Sequence, residues 1–322
     1  MEQMLIFVEC LPFILTFINQ TRALSQVNKI IRTLILSNTK SITFRSELAK
    51  YLQYDGNDNL LQQNYDSFKN YVLQLKNIRI LCVRFENANI FKNTEMIYNI
   101  GTMKLLEELD VASNSMTGDD IGKLLDITKS LKKLRSIDLA RNNISSIFGL
   151  KGLKQHKSLR YLNLNNTLLR DDSFVSYFPD NLEELDLGQN NLNLRELTLH
   201  LPKLKRLKSL KLDKINISYF AAERLARAFL EMPHLEKLDL SSNNLGEKSL
   251  EILIPSIEKL LNLEELNLSN IQINNFDSRF LLKLCKLKTF NFTRNNLDLD
   301  LNKESAKLLR QVIANSQIKL IL

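Results

Sequence analysis

Three cysteines, three histidines, five prolines and eight glycines are all that 322 residues hold of the types that build disulfide frameworks, metal centres and flexible linkers. Cys10, Cys82 and Cys285 are odd in number and scattered, so no disulfide framework is expected, and the expected location is a reducing, intracellular one, the cytoplasm. His156, His200 and His234 show no i, i+4 pair and no zinc-like interval to a cysteine, so neither a metal nor any other cofactor is expected. The glycine motifs GxxxxGK[ST], GxGxxG and GxSxG are absent, which removes the usual phosphate cradles and the nucleophile elbow. The scarcity of glycine and proline also leaves no long linker, so one elongated domain with a cap is preferred over two globular ones. Residues 4–18 are strongly apolar but contain Glu9 and Pro12, lack a basic start and fall short of the ~20 residues that a membrane span needs. No stable membrane insertion is expected there; a capping helix or helix pair is.

What the chain does have is a repeat. Leu235, Leu238, Leu240, Asn243 and Leu245 spell LxxLxLxxNxL, and Leu182, Leu185, Leu187, Asn190 and Leu192 repeat the same offsets. Nine copies start at Ile80, Leu106, Leu134, Leu159, Leu182, Leu207, Leu235, Leu263 and Leu287, spaced by 23 to 28 residues. Positions one, four and six are apolar while five and seven are mostly polar, the period of two that sends neighbouring side chains to opposite faces of a strand. One repeat cannot bury its apolar face alone; stacked repeats share a continuous core. The ninth-position amides Asn114, Asn142, Asn190, Asn243 and Asn295 form a structural ladder where the chain leaves the strand, and each can satisfy backbone groups that the turn would bury unpaired. Thr167, Ile215, Ile271 and Ala88 replace that Asn in other copies. After the strand, residues 221–230, 247–259 and 119–129 read as amphipathic helices, whereas the short intervals from Leu159, Leu182 and Leu287 leave little room for one.

These residues resemble the leucine-rich repeat superfamily, and the longer copies resemble its ribonuclease-inhibitor-like subtype. The resemblance covers residues 78–322 and implies an α/β fold: a right-handed solenoid, or horseshoe, of about ten repeats. Parallel strands would line its concave face, with helices or short turns on the convex one. Residues 1–77 would form a helical cap, in which Ile31, Leu34 and Leu36 suggest a first strand, and residues 40–77 either complete the cap or hide a degenerate repeat. Secreted members of the superfamily carry cysteine-rich caps, which this chain lacks. A second resemblance lies in Leu11-Pro12 and residues 14–18 and 24–29. They look like a degenerate F-box, a motif that docks on a ubiquitin-ligase adaptor, although Leu11-Pro12 stands closer to Val27 than the family's spacing has it.

Function, on this reading, sits on the outward strand positions. The fifth-position column reads Arg84, Asp110, Asp138, Asn163, Asp186, Lys211, Asp239, Asn267 and Asn291; the third reads Cys82, Glu108, Ser136, Tyr161, Glu184, Ser209, Lys237, Glu265 and Thr289. The resemblance implies a non-catalytic module that binds a folded protein there. Asp at position five is frequent in the superfamily's own repeat, so Lys211 and Tyr161, which depart from that habit, are the stronger anchor candidates. The net charge of +8 does not point to nucleic acid, because the columns are mixed with an acidic bias while the cations crowd into connecting segments: Lys129, Lys132, Lys133 and Arg135; Lys151, Lys154 and Lys157; Lys203, Lys205, Arg206 and Lys208. No enzyme is expected. A Cys285–His234 pair is set aside because Cys285 lies in the apolar run 281–285 and reads as a buried thiol, and Glu108, Asp110 and Asp138 are brought together by repeat geometry without any need for acid/base chemistry. Regulators of GTPases share the fold, an analogy without a matching motif. The Asn-, Lys- and Ile-rich wording and uneven intervals also resemble effectors that intracellular bacteria deliver into the host cytoplasm.

Overall fold

The computed structural model describes residues 41–44, 77–84, 91, 94–274, 277–295, 311 and 318–321. The cap and F-box-like readings of residues 4–29, the strand suggested by Ile31, Leu34 and Leu36, and most of residues 40–77 lie outside them. The chain divides into two compact units, Met1–Leu159 and Arg160–Leu322.

In the first unit the strands β1 (Ser41–Phe44), β2 (Ile80–Val83), β3 (Glu108–Asp110) and β4 (Ser136–Asp138) pair in parallel in chain order. The second unit continues the same pattern through β5 (Tyr161–Asn163), β6 (Glu184–Asp186), β7 (Ser209–Lys211), β8 (Lys237–Asp239), β9 (Glu265–Asn267), β10 (Thr289–Asn291) and β11 (Lys319–Ile321). Every strand between β3 and β10 is three residues long, because only positions three to five of each motif run straight. The middle residue of each points inward: Leu109 and Ile137 in the first unit, and Leu162, Leu185, Leu210, Leu238, Leu266 and Phe290 in the second, are all buried. Each fully buried leucine contributes ~1.5–3 kcal/mol, and each needs a neighbouring repeat to be covered. This is the α/β leucine-rich-repeat architecture expected from the motif. Two strands carry no legible motif: β1, 39 residues ahead of its partner, and β11, 30 residues behind its own.

Interval length decides what closes each repeat. The helices are α1 (Thr94–Gly101), α2 (Gly118–Thr128), α3 (Arg195–His200), α4 (Tyr219–Phe229) and α5 (Gly246–Ile257). The 28-residue intervals from Leu106, Leu207 and Leu235 hold α2, α4 and α5, with 11, 11 and 12 residues. The 23- to 25-residue intervals hold the six-residue α3 or 3-10 helices at Ile147–Gln155, Ser173–Tyr177 and Ser278–Lys283. A 3-10 helix rises about 2.0 Å per residue against about 1.5 Å for an α-helix, so fewer residues span the same back face. Local signals start the full helices. Thr117 and Asp120 form a reciprocal capping box at α2, and the Ser218 hydroxyl accepts from Ala221 N–H at α4.

Where each strand ends, the chain turns sharply. Eight residues at motif position eight (Ser113, Arg141, Asn166, Gln189, Lys214, Ser242, Asn270 and Arg294) have φ of 51° to 59°, and none is glycine. Left-handed backbone costs an L-residue ~1–2 kcal/mol, so something must hold it. In six of the eight the N–H donates to the position-seven carbonyl of the following repeat, as in Ser113 to Ala140 (2.9 Å), Gln189 to Asp213 (2.8 Å) and Ser242 to Ser269 (2.9 Å). The next residue, the ladder Asn, does the rest. Asn243 Oδ1 accepts from Ile215 and Ile217 N–H (3.0 and 3.3 Å), and its Nδ2 donates to Leu212 and Leu240 carbonyls (2.8 and 2.9 Å). Asn142 and Asn190 repeat this set, Asn114 donates to Val83 and Val111 carbonyls, and Asn295 joins Ile271 N–H to Leu268 and Phe292 carbonyls.

Replacing Asn243 by Ala leaves two buried N–H groups and two carbonyls without their partner, at ~1–3 kcal/mol for each that finds no substitute. We expect Asn243→Ala to lower stability by about 3 kcal/mol or more and Asn295→Ala, at a part-buried position, to cost less. Urea midpoints of the two variants check this; equal shifts would contradict it.

Candidate functional site

The outward side chains at positions three and five stand in lateral register within each unit: Glu108 with Ser136 and Asp110 with Asp138 in the first, and Tyr161, Glu184, Ser209, Lys237, Glu265 and Thr289 along the second. Asn163, Asp186, Lys211, Asp239, Asn267 and Asn291 form the parallel fifth-position row. At one point the expected register fails. Cys82, read as a third-position residue, pairs with Asp110, and Ile80 pairs with Glu108, so the motif of that copy starts at the fully buried Ile78 and Arg84 falls at position seven. Ala88 is then not its ninth residue. A slip of two residues preserves the inward and outward alternation, and with apolar residues at 78, 80, 81 and 83 the pattern alone could not fix the start.

Position five has a structural duty. The side-chain oxygen of Asp110, Asp138, Asn163, Asp186, Asp239, Asn267 and Asn291 accepts from the backbone N–H two residues on, at 2.8 to 3.1 Å in every case. This is the local turn that Asp and Asn favour, and it leaves the second carboxylate oxygen for the surface. Lys211 alone in that row has no such acceptor. Its Nζ lies 3.5 Å from Asp186 Oδ2 instead.

Most charges on this face are already engaged. Arg84 reaches Asp110 through Nε at 2.8 Å and Nη2 at 2.5 Å, with Asp138 at 3.6 Å, and these carboxylates hold its guanidinium pKa above the usual value. Lys237 pairs with Glu265 at 2.7 Å; that hydrogen bond is the main reason its pKa is raised. Asn267 donates to Asp239 at 2.8 Å and Asn165 to Asp186 at 3.2 Å. Glu108 and Glu184 are exposed. A shallow open depression of about 210 Å³ is lined by Lys211, Lys237, Asp239, Glu265, Asn267 and Thr289 among others. It is smaller than the ~300–1,000 Å³ typical of small-molecule pockets, and its shape suits a protruding side chain of a larger partner.

Asp213, at position seven of the β7 repeat, belongs to neither column and was missed by reading them. From the β3 repeat onward the same position otherwise carries Ala112, Ala140, Asn165, Gly188, Ser241, Ser269 and Thr293, so one acid among small and neutral residues was the available signal. Its carboxyl is half-buried beside Asp186 on β6 and Asp239 on β8, with Lys211 nearby. Burial first, then those two acids, push its pKa up to about 6. Gly188 makes the room: a Cβ there would stand 2.0 Å from Asp213 Oδ1 and 2.7 Å from Asn165 Nδ2.

The histidines are spent on backbone. His156 Nδ1 and His200 Nδ1 each lie 3.0 Å from the carbonyl four residues earlier, and His234 Nε2 is 3.4 Å from the Leu204 carbonyl. Burial is the main cause of the lowered His156 pKa. Cys285 is exposed, not the buried thiol expected from its apolar run. Leu281, Leu284 and Leu287 supply the inward contacts of that stretch, and the cysteine lies on the loop between them. Among the described residues no three His, Cys, Asp or Glu side chains gather in a metal-holding group, and no helix is long and apolar enough to cross a membrane.

Residues 234–260 match the Leucine Rich Repeat family model. Protein PAC2 of Saccharomyces cerevisiae is 27% identical over 213 residues, 61% of this chain and 38% of the yeast protein. Human Toll-like receptor 2 is 34% identical over 103 residues, 32% of this chain and 12% of the receptor. The chain therefore spans well under half the length of either relative. An internalin (InlF) crystal structure from Listeria monocytogenes aligns over 90% of this chain and 88% of its own with 15% identity and a TM-score of 0.42.

In the folded chain Asp213 holds its proton up to about pH 6, while the unfolded chain releases it near 3.8. Stability therefore falls as pH rises through about 6, and ionised Asp213 weakens the fold at neutral pH. We expect Asp213→Asn to have a higher urea midpoint than the parent at pH 7, with the gap closing as pH falls from 6 toward 4; a gap independent of pH would contradict the assignment.

Proposed function

We propose that this leucine-rich repeat protein is a non-catalytic interaction module that holds a folded protein partner on its strand face, the concave face in repeats of this kind. The observation that carries the reading is the row of polar and charged residues at positions three and five, in register on consecutive strands above a buried apolar fourth position, with Glu184, Lys211, Lys237 and Glu265 exposed. Such a surface offers many contacts with little freedom left to lose. In residues 160–322 its acids are Glu184, Asp186, Asp213, Asp239 and Glu265, against Lys211 and Lys237, so the partner presents a predominantly basic patch. Mixed pairs of this kind set specificity and on-rate more than raw affinity. Keeping Asp213 ionised against its surroundings weakens the fold, which favours a binding role for that residue over a purely structural one.

Three cysteines, odd in number and scattered along the sequence, fit action in a reducing compartment. The composition and uneven intervals that resemble bacterial effectors fit a module working in host cytoplasm. Of the anchor candidates, Tyr161 is half-buried beside Glu184 on the neighbouring strand, and Lys211 is held by Asp186, so both are pre-positioned.

The test is affinity capture with the full chain against Lys211→Glu combined with Tyr161→Ala. We expect the variant to keep the parent's thermal melt while its affinity for the captured protein falls at least ~30-fold, since two hot-spot truncations each cost about 1–2 kcal/mol or more. Undiminished capture by a folded variant would place binding elsewhere.

A further inference from the structure

The surplus of positive charge is not spread along the chain. Residues 118–159 hold nine Lys and Arg against four Asp and no Glu, a surplus of five within a chain whose total is +8. Two of the acids are occupied elsewhere: Asp120 in the capping box of α2 and Asp138 in the turn after β4.

Six of those nine cations, Lys129, Lys132, Lys133, Lys151, Lys154 and Lys157, lie on two packed helices or on the segments that directly follow them. Helix α2 and the 3-10 helix Ile147–Gln155 touch backbone to backbone: a Cβ on Gly149 would stand 1.8 Å from the Gly118 carbonyl oxygen, and one on Gly152 would stand 2.8 Å from Leu125 Cβ. At their far ends His156 Nε2 lies 3.0 Å from Thr128 Oγ1, and Lys129 is close enough to help lower the pKa of that buried imidazole. Lys129 therefore stands at the end of the 3-10 helix that carries Lys151 and Lys154 and leads into Lys157, and Lys132 and Lys133 follow on the segment after α2. A 3-10 helix has three residues per turn, so side chains three apart eclipse; Phe148, Lys151 and Lys154 form a single exposed edge. The Phe148 ring is 67% exposed, with Lys151 Nζ 4.6 Å from its centroid. Lys129 is paired with Asp126, while Lys132, Lys133 and Lys154 have no ion-pair partner among the described residues.

We propose that this face docks on an anionic lipid bilayer, with its lysines in the headgroup field and Phe148 seated at the interface between headgroups and acyl chains. These six cations are lysines, compact hydrated charges suited to a diffuse surface potential, while the segment's two arginines, Arg135 and Arg141, flank strand β4; arginine is the residue that reads carboxylates and phosphates bidentately. A nucleic-acid track would pair its cations with a series of stacking rings, and here there is one ring, at the end of the lysine edge. An exposed aromatic among lysines is the pattern of surfaces that lie on membranes without crossing them. This site is independent of the strand-face reading and survives its failure.

Flotation of the full chain with phosphatidylcholine vesicles, with and without phosphatidylserine, tests the proposal. We expect recovery with the phosphatidylserine vesicles only, diminishing as salt rises. Each lysine near the surface contributes about fivefold in partitioning, so Lys151→Gln combined with Lys154→Gln should reduce it about 25-fold. Phe148→Ser should weaken binding without changing its salt dependence. A charge-matched control, Lys205→Gln combined with Arg206→Gln, should change it less than twofold; all four cations are exposed, and circular dichroism verifies folding. No binding to phosphatidylserine vesicles at low salt, equal loss from both pairs, or binding to an oligonucleotide or an acidic protein without vesicle binding would overturn the proposal.

Discussion

The fold depends on one side-chain amide that serves two turns at once. Each ladder Asn closes the turn of its own repeat through Nδ2 and, through Oδ1 or a second Nδ2 bond, satisfies backbone of the repeat before it. Because the residue ahead of it sits at positive φ without being glycine, every repeat carries a backbone cost that only the next repeat offsets. No repeat is complete alone. That is the hydrogen-bonding counterpart of the apolar argument: a single strand of three residues with one buried leucine has neither a satisfied turn nor a covered core. Where Thr167 replaces the Asn, its hydroxyl still reaches the Leu164 carbonyl, but it has no amide to bridge with.

The same economy shapes the strand face. Asp and Asn at position five are there first to hold the turn, so the acidic column is largely a by-product of folding, and it becomes a surface feature because a carboxylate has two oxygens. Specificity then falls to the residues that break the rule: Lys211 where a turn acceptor is usual, Asp213 where a small residue is usual, and Tyr161 among charged neighbours. Lateral ion pairs such as Lys237 with Glu265 keep these side chains extended, lowering the entropy lost on binding, and a partner must compete for charges that already have company.

The architecture was legible because the motif encodes its own accounting: alternation gives the strand, spacing gives the repeat, and interval length separates full helices from 3-10 closures. What the motif could not encode stayed hidden. The start of the first long copy slipped from Ile78 to Ile80 because period-two patterns are blind to a two-residue shift. β1 and β11 escaped because strand pairing needs backbone geometry, not leucine, once a neighbour supplies the template. Cys285 read as buried because apolar neighbours in sequence need not share its face. Asp213 was overlooked because its importance lies in three strands meeting, which no single repeat displays.

If the strand face is the binding surface, a bound partner shields side chains there and spares the helices. Hydroxyl-radical footprinting of the full chain, alone and saturated with its captured partner, measures this directly at aromatic probes on both sides: Tyr161 on β5, and Tyr219 and Phe220 on α4, which are exposed in the free chain. The account predicts strong protection of Tyr161 with Tyr219 and Phe220 unchanged. Protection of the α4 pair with Tyr161 left reactive would contradict it.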